Sequence, residues 1–77
     1  MAMIKNFKVG SLSRNSIHDG IDATYSVFER DGRSFVQIDT HGRESREIPG
    51  KKSQTIQLDR DSGAALYSIL KRAFRFD

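Results

Sequence analysis

A two-residue turn between two strand-like segments is the feature that most constrains this sequence. The turn lies in Arg30-Asp31-Gly32-Arg33, and an Asp-Gly pair readily adopts the positive φ angles that a type I′ hairpin requires. Residues 22–30 alternate between apolar and polar side chains, and residues 34–40 are rich in β-branched and aromatic ones. Both patterns are typical of half-buried strands. The sequence therefore predicts an antiparallel hairpin.

Two further strands are predicted outside the hairpin. Residues 53–58 alternate polar and apolar with a period of two, which places Ile56 and Leu58 on one face. Residues 4–9 are short and mixed in polarity and give a weaker strand signal. The Ser, Gly and Asn residues of 10–15 predict a turn or loop after that strand.

A helix is predicted over about residues 60–75. Asp59 is a favoured N-cap residue, and Asp61 places a carboxylate at the positive end of the helix dipole. Apolar residues then recur at three- and four-residue spacing, as in an amphipathic helix. They are Leu66, Ile69, Leu70, Ala73 and Phe74. The basic side chains near the end of the helix suit its carbonyl terminus without any ligand.

These elements predict an α+β fold in one domain spanning residues 1–77. The order is β-β-β-β-α, a four-stranded antiparallel sheet followed by a C-terminal helix, and one helix can cover one face of the sheet only. If it covers Val36, Ile38, Ile56 and Leu58, the opposite face carries Phe35, Gln37, Thr55 and Gln57. A register shift of one residue would exchange the two faces. Because 77 residues bury little surface, a homodimer is expected.

Composition excludes several functional classes. Cysteine is absent, so disulfides, thiolate nucleophiles and cysteine-based zinc sites are excluded, and a reducing cytoplasm would suit the chain. No apolar run approaches the roughly 20 residues of a membrane span, and no signal peptide is evident. The net charge of +3 favours polyanionic partners only mildly.

No group of residues indicates catalysis. His18 and His41 are distant in sequence and lack a second metal ligand at helical spacing, so surface histidines are expected. Gly10-Ser11-Leu12-Ser13 lacks the strand-turn-helix context of a nucleophile elbow, and the glycines form no phosphate-binding motif. We therefore expect a protein that is not an enzyme, without a cofactor, a metal or a small-molecule substrate.

A polar, basic segment follows the predicted third strand. Residues 41–52 contain Gly and Pro and read as an exposed loop. Between positions 30 and 52 there are six basic residues against four acidic ones. The basic residues are Arg30, Arg33, Arg43, Arg46, Lys51 and Lys52. Such a segment is either a solvated loop with alternating ion pairs or a phosphate-binding loop.

The order of elements and several short motifs resemble the positive-cofactor (p15-type) transcriptional coactivators. The motifs are the run from Gly32 to Asp39, Pro49-Gly50-Lys51-Lys52, and Ile56-Gln57-Leu58-Asp59 before the helix. The resemblance implies a homodimer of that or a Whirly-like architecture, whose curved sheet binds single-stranded DNA. Arg33 matches the basic residue opening the family's strand, and Lys51 and Lys52 match its basic pair. A looser likeness connects the chain to small bacterial proteins of undefined activity.

We therefore predict a non-enzymatic domain that binds single-stranded DNA or RNA. Cationic side chains would contact phosphates, and an aromatic ring would stack on bases, although sheet packing is the commoner role of strand aromatics. The predicted binding residues are Tyr25, Arg33, Phe35, Arg43, Arg46, Lys51 and Lys52. The alternative is a protein-interaction or assembly module that recruits another chain through the exposed sheet face and edge strand.

Overall fold

The protein folds as a four-stranded sheet followed by one helix, which confirms the predicted α+β class. The structure is a computed structural model that describes residues 1–42 and 54–77 in full and residues 52 and 53 by their backbone. The elements are β1 (Ala2–Ile4), β2 (Ala23–Arg30), β3 (Arg33–His41), β4 (Lys52–Leu58) and α1 (Arg60–Phe74). Within these residues, no helix has the length and apolar character needed to cross a membrane.

The predicted hairpin joins β2 and β3. Asp31 and Gly32 have φ angles of 54° and 75°, as the two central residues of a type I′ turn require. This two-residue turn sets the antiparallel register, in which Arg30 pairs with Arg33 and Phe28 pairs with Phe35. On each strand, two residues separate this aromatic pair from the turn.

The first strand differs from the prediction in position and direction. Residues 4–9 were expected to form it, but β1 spans Ala2–Ile4 and pairs with β4 in parallel, so the sheet is mixed. β1 ends at Ile4, which pairs with Leu58, because β4 itself ends there. Parallel pairing needs a long connection, and here the chain between the two paired strands includes β2 and β3. Residues 5–22 lead from β1 to β2 at the opposite edge of the sheet. The strand order is β1-β4-β3-β2.

The register divides the sheet into two faces of different chemistry. On what we call the apolar face, the cross-strand rows contain Tyr25, Ile38 and Ile56, and Val27, Val36 and Leu58. On the polar face, they contain Phe28 with Phe35, Ser26 with Gln37 and Gln57, and Thr24 with Asp39 and Thr55. The expected assignment of Phe35, Gln37, Thr55 and Gln57 to one face is thus confirmed.

Helix α1 begins with the predicted cap at Asp59. The Asp59 carboxylate accepts a hydrogen bond from the Ser62 backbone N–H at 2.9 Å, and the Ser62 hydroxyl accepts one from the Asp59 N–H at 3.0 Å. This reciprocal pair is a capping box. Lys5 also places its ammonium 3.4 Å from the Asp59 carboxylate. The helix is capped at its end by Arg75, which adopts a left-handed conformation.

The cap makes stability depend on pH at the acidic end. The Ser62 backbone hydrogen bond, followed by the Ser62 hydroxyl, lowers the pKa of Asp59 below its ordinary value of 3.8. Because this carboxyl group has a lower pKa in the folded protein than in the unfolded chain, its ionised form stabilises the fold. That stabilisation is fully present above the ordinary pKa and is lost as pH falls through the folded-state pKa. Asp59→Asn keeps a capping acceptor but does not titrate there. We expect the melting temperature of the parent to fall more steeply than that of Asp59→Asn between about pH 5 and pH 2. Circular dichroism melts of both proteins test this, and parallel curves would contradict it.

The helix covers less of the sheet than expected. Ser62 is buried, Gly63 and Leu66 are half-buried, and the remaining residues of α1 are exposed. The apolar stripe of α1 is therefore exposed beyond the first two turns. Among the described residues, Leu58 is the only buried apolar side chain, with 5% of its surface exposed. These residues leave Tyr25 and Val27 on the apolar face, and the helix stripe beyond Leu66, exposed.

Candidate nucleic-acid interface

A stacked aromatic pair lies on the polar face next to the hairpin turn. The ring centroids of Phe28 and Phe35 are 5.4 Å apart and their planes differ by 23°. The Arg33 guanidinium lies 5.3 Å from the centroid of Phe35, within range of a cation–π interaction. Both rings are half-buried and Arg33 is exposed. Two planar rings and a cationic plane therefore reach the surface together.

A hydrogen-bonded polar network continues along the same face. The Gln57 side-chain amide donates to Gln37 Oε1 at 2.9 Å, and the Gln37 amide donates to the Asp39 carboxylate at 3.1 and 3.3 Å. The Thr55 hydroxyl also donates to Asp39, at 2.5 Å. Asp39 is 3% exposed, so these bonds meet the need of a buried carboxylate for donors. The network orients the side chains in the middle of the face.

The aromatic pair and the network border one open concavity of about 630 Å³. Its walls include Phe28, Phe35, Arg33, Gln37 and Gln57. Its shape is open rather than enclosed, so a flat group could enter from solvent. Rings, amides and a guanidinium are the groups that proteins use to hold single-stranded nucleic acid.

The histidine of β3 has a structural contact. His41 Nε2 lies 3.1 Å from the Thr24 hydroxyl, across the hairpin. Within the described part of the chain, no three His, Asp or Glu side chains come together as ligands of a metal ion would.

The structure brings two of the predicted binding residues together and separates a third. Arg33 and Phe35 are in contact on the polar face. Tyr25 pairs with Ile38 on the apolar face and is 76% exposed, so its ring cannot share a platform with that of Phe35. Lys52 opens β4, where its backbone pairs with His41. The predicted residues Arg43, Arg46 and Lys51 lie outside the described residues.

Sequence reasoning missed Phe28 as a partner of Phe35. The signal was present, because a two-residue turn at Asp31 and Gly32 pairs residues whose numbers sum to 63, and Phe28 with Phe35 satisfies that sum. The same count pairs Arg30 with Arg33 at the edge of the concavity. The turn alone would have located both pairs.

Comparisons of the chain with protein-family models, curated proteins and solved structures found no match.

Proposed function

We propose that this protein is a non-enzymatic, single-stranded nucleic-acid-binding domain, and that the polar face is its platform. The observation that carries the proposal is the Phe28–Phe35 pair with Arg33 beside it. Bases of a single strand expose ring faces that stack on aromatic side chains, while cationic groups contact the phosphates. The resemblance to the positive-cofactor coactivators points to the same function and remains part of this proposal.

The chemistry of the face favours a single strand over a duplex. In a duplex the base faces are stacked on one another, so a ring pair on a sheet has no surface to meet. Unpaired bases present both a ring face and a hydrogen-bonding edge. The polar face of the protein offers partners for both. The rings of Phe28 and Phe35 and the amides of Gln37 and Gln57 border the same concavity.

We also propose that the protein is a homodimer that buries its apolar surface against a second copy. This surface consists of exposed sheet and helix side chains, namely Tyr25, Val27, Tyr67, Ile69, Leu70, Phe74 and Phe76. Groups of exposed apolar side chains often mark interaction sites in soluble proteins. Dimerisation through it would leave the polar face open to nucleic acid.

A second candidate function, protein assembly by strand addition, is favoured by the position of β2. This strand has eight residues and lies at the edge of the sheet, where a row of backbone groups can pair with another chain. Capture of a partner by this edge would depend on backbone hydrogen bonds and would persist at high salt. Nucleic-acid binding would instead weaken as the salt concentration rises.

Salt dependence tests the proposed function. We expect the logarithm of the affinity for a single-stranded oligonucleotide to fall linearly with the logarithm of salt concentration, and duplex binding to be weaker. Arg33→Gln removes one phosphate-directed charge and should make the slope shallower by about 0.7. Arg72→Gln makes the same change in the last turn of α1, away from the polar face, and should leave the slope unchanged. Fluorescence anisotropy at several salt concentrations measures both. Tighter binding to duplex, or a slope that neither variant changes, would count against the site.

A further inference from the structure

One side of helix α1 carries a row of residues that extends from its first turns to its last. Gly63, Tyr67, Leu70 and Phe74 are spaced by four, three and four residues, which places them within about 60° of one another around the helix axis. Gly63 is half-buried, and the other three are exposed. We call these four residues the exposed row. It begins with a glycine and ends with a large aromatic side chain.

Nothing in the described part of the chain explains the glycine in this row. Its backbone N–H donates to the Asp59 carbonyl at 2.8 Å, as in any α-helix, and no positive φ angle requires a glycine there. A methyl group at Gly63 would meet no atom of the described residues within 4 Å, although alanine is the better helix former. Gly63 borders an open concavity of about 590 Å³, whose walls include Val27, Val36 and Leu58. A glycine is expected where a group from outside the chain approaches the helix backbone closely.

We propose that a second copy of this chain supplies that group, through an antiparallel pairing of the two α1 helices that places Phe74 of each copy beside Gly63 of the other. The proposal rests on the homodimer proposed above. In a two-fold antiparallel pair, residues that face each other have numbers with a constant sum. Gly63 with Phe74 and Tyr67 with Leu70 both sum to 137. The exposed row is therefore complementary to itself, with the glycine facing an aromatic ring.

The concavity beside Gly63 suits the aromatic end of the row. Phe74 stacks on Phe76, with ring centroids 5.6 Å apart, and both side chains are more than half exposed in a single chain. Since a cavity of about 150 Å³ can hold benzene, the concavity has room for a phenyl ring. A ring placed there would also cover Val27, which is 65% exposed. The pairing thus buries apolar side chains of the helix and of the sheet together.

The charges of α1 favour the antiparallel direction over the parallel one. At the amino end, Asp59 and Asp61 outnumber Arg60. The last turn carries Lys71 and Arg72. An antiparallel pair places the acidic end of each helix beside the basic end of the other, whereas a parallel pair would place like charges together.

Cysteine cross-linking tests the pairing, because the chain contains no cysteine of its own. Gly63→Cys and Phe74→Cys proteins should form a disulfide-linked heterodimer when mixed and oxidised, since the two positions face each other. Each protein oxidised alone should stay unlinked, because the two copies of either position lie roughly 16 Å apart along the helices. Ala65→Cys mixed with Phe74→Cys is the control. Ala65 is exposed and lies about 200° around the helix from Gly63, so this mixture should stay unlinked on a non-reducing gel.

An exchange of side-chain size gives a second measurement. Gly63→Leu should weaken the dimer at least about 10-fold, because the leucine occupies the space of the partner's ring. Ala65→Leu makes a similar addition on the other side of the helix and should keep the parent affinity. Gly63→Leu combined with Phe74→Ala exchanges the large and the small group and should recover part of the loss, as for two residues in contact. Sedimentation equilibrium measures all four proteins, and circular dichroism verifies that each is folded.

The outcomes separate this pairing from the homodimer on which it rests. A parent protein that sediments as a single chain would overturn both proposals. A dimeric parent whose mixed cysteine variants stay unlinked, or link no better than each variant alone, would overturn the pairing and leave the homodimer standing. A folded Gly63→Leu protein that dimerises as tightly as the parent would also overturn the pairing.

Discussion

Phe35→Leu is expected to bind single-stranded oligonucleotides roughly 5- to 150-fold more weakly than the parent protein, because one base–aromatic stack contributes about 1–3 kcal/mol. Leucine retains an apolar side chain on the half-buried sheet surface, so the fold should survive. The ring that stacks on Phe28 and lies beside Arg33 is lost. The slope of affinity against salt should stay the same, since no charge is removed. Anisotropy titrations at three salt concentrations measure affinity and slope together.

Tyr25→Leu provides the matched control for that experiment. Tyr25 is an exposed aromatic of the hairpin on the opposite face, and its loss should leave oligonucleotide affinity unchanged. The pair of variants also decides between the two faces. If Tyr25→Leu weakens binding and Phe35→Leu does not, the apolar face is the platform and our assignment is reversed. Tyr25 also belongs to the proposed dimer surface, so sedimentation of both variants reports whether the dimer is retained at the concentrations titrated.

Phe74→Glu should dissociate the proposed dimer and lower its melting temperature. Phe74 is 64% exposed in a single chain, and substitutions at such positions in a monomer change stability by no more than about 0.5 kcal/mol. At the centre of an interface, an aromatic side chain contributes about 2 kcal/mol or more. This corresponds to roughly a 30-fold weaker dimer. Sedimentation equilibrium should give twice the 8.7 kDa chain mass for the parent and a lower mass for the variant.

Ser68→Glu introduces the same charge on the other side of the helix. Ser68 lies two residues after Leu66, about 200° around the helix axis, and is exposed. It should preserve both the dimer and the melting temperature. The melting temperature of the parent should also rise with protein concentration, as for a fold coupled to association. A parent that sediments as a single chain and melts independently of concentration would refute the dimer.

Local sequence signals predicted the elements whose contacts are local. The Asp31-Gly32 turn and the Asp59 cap depend on residues within a few positions of each other, so the hairpin and the start of the helix followed from the chain itself. The position of β1 did not, because its partner β4 lies at the other end of the sequence. Periodicity located the apolar stripe of α1, but not whether the sheet or a second chain would cover it.

The same difference between local and long-range contacts decides how much of the candidate site the sequence could predict. Phe35 and Arg33 lie on the hairpin, and the alternation of the strand and the family resemblance point to them. The chain of bonds from Gln57 through Gln37 to Asp39 depends on the register of β3 against β4, and no two-residue turn sets that register. The alternation of amide and carboxylate side chains in the sequence does not show that they form one hydrogen-bonded network.

The pairing of β1 with β4 has a consequence for how the chain folds. The partners Ala2 and Ile56 are 54 positions apart, so their contact closes a long loop at a large entropic cost. The hairpin closes over two residues and should form early. The amino-terminal strand is therefore expected to dock last, which would make its amide protons the quickest in the sheet to exchange with deuterium.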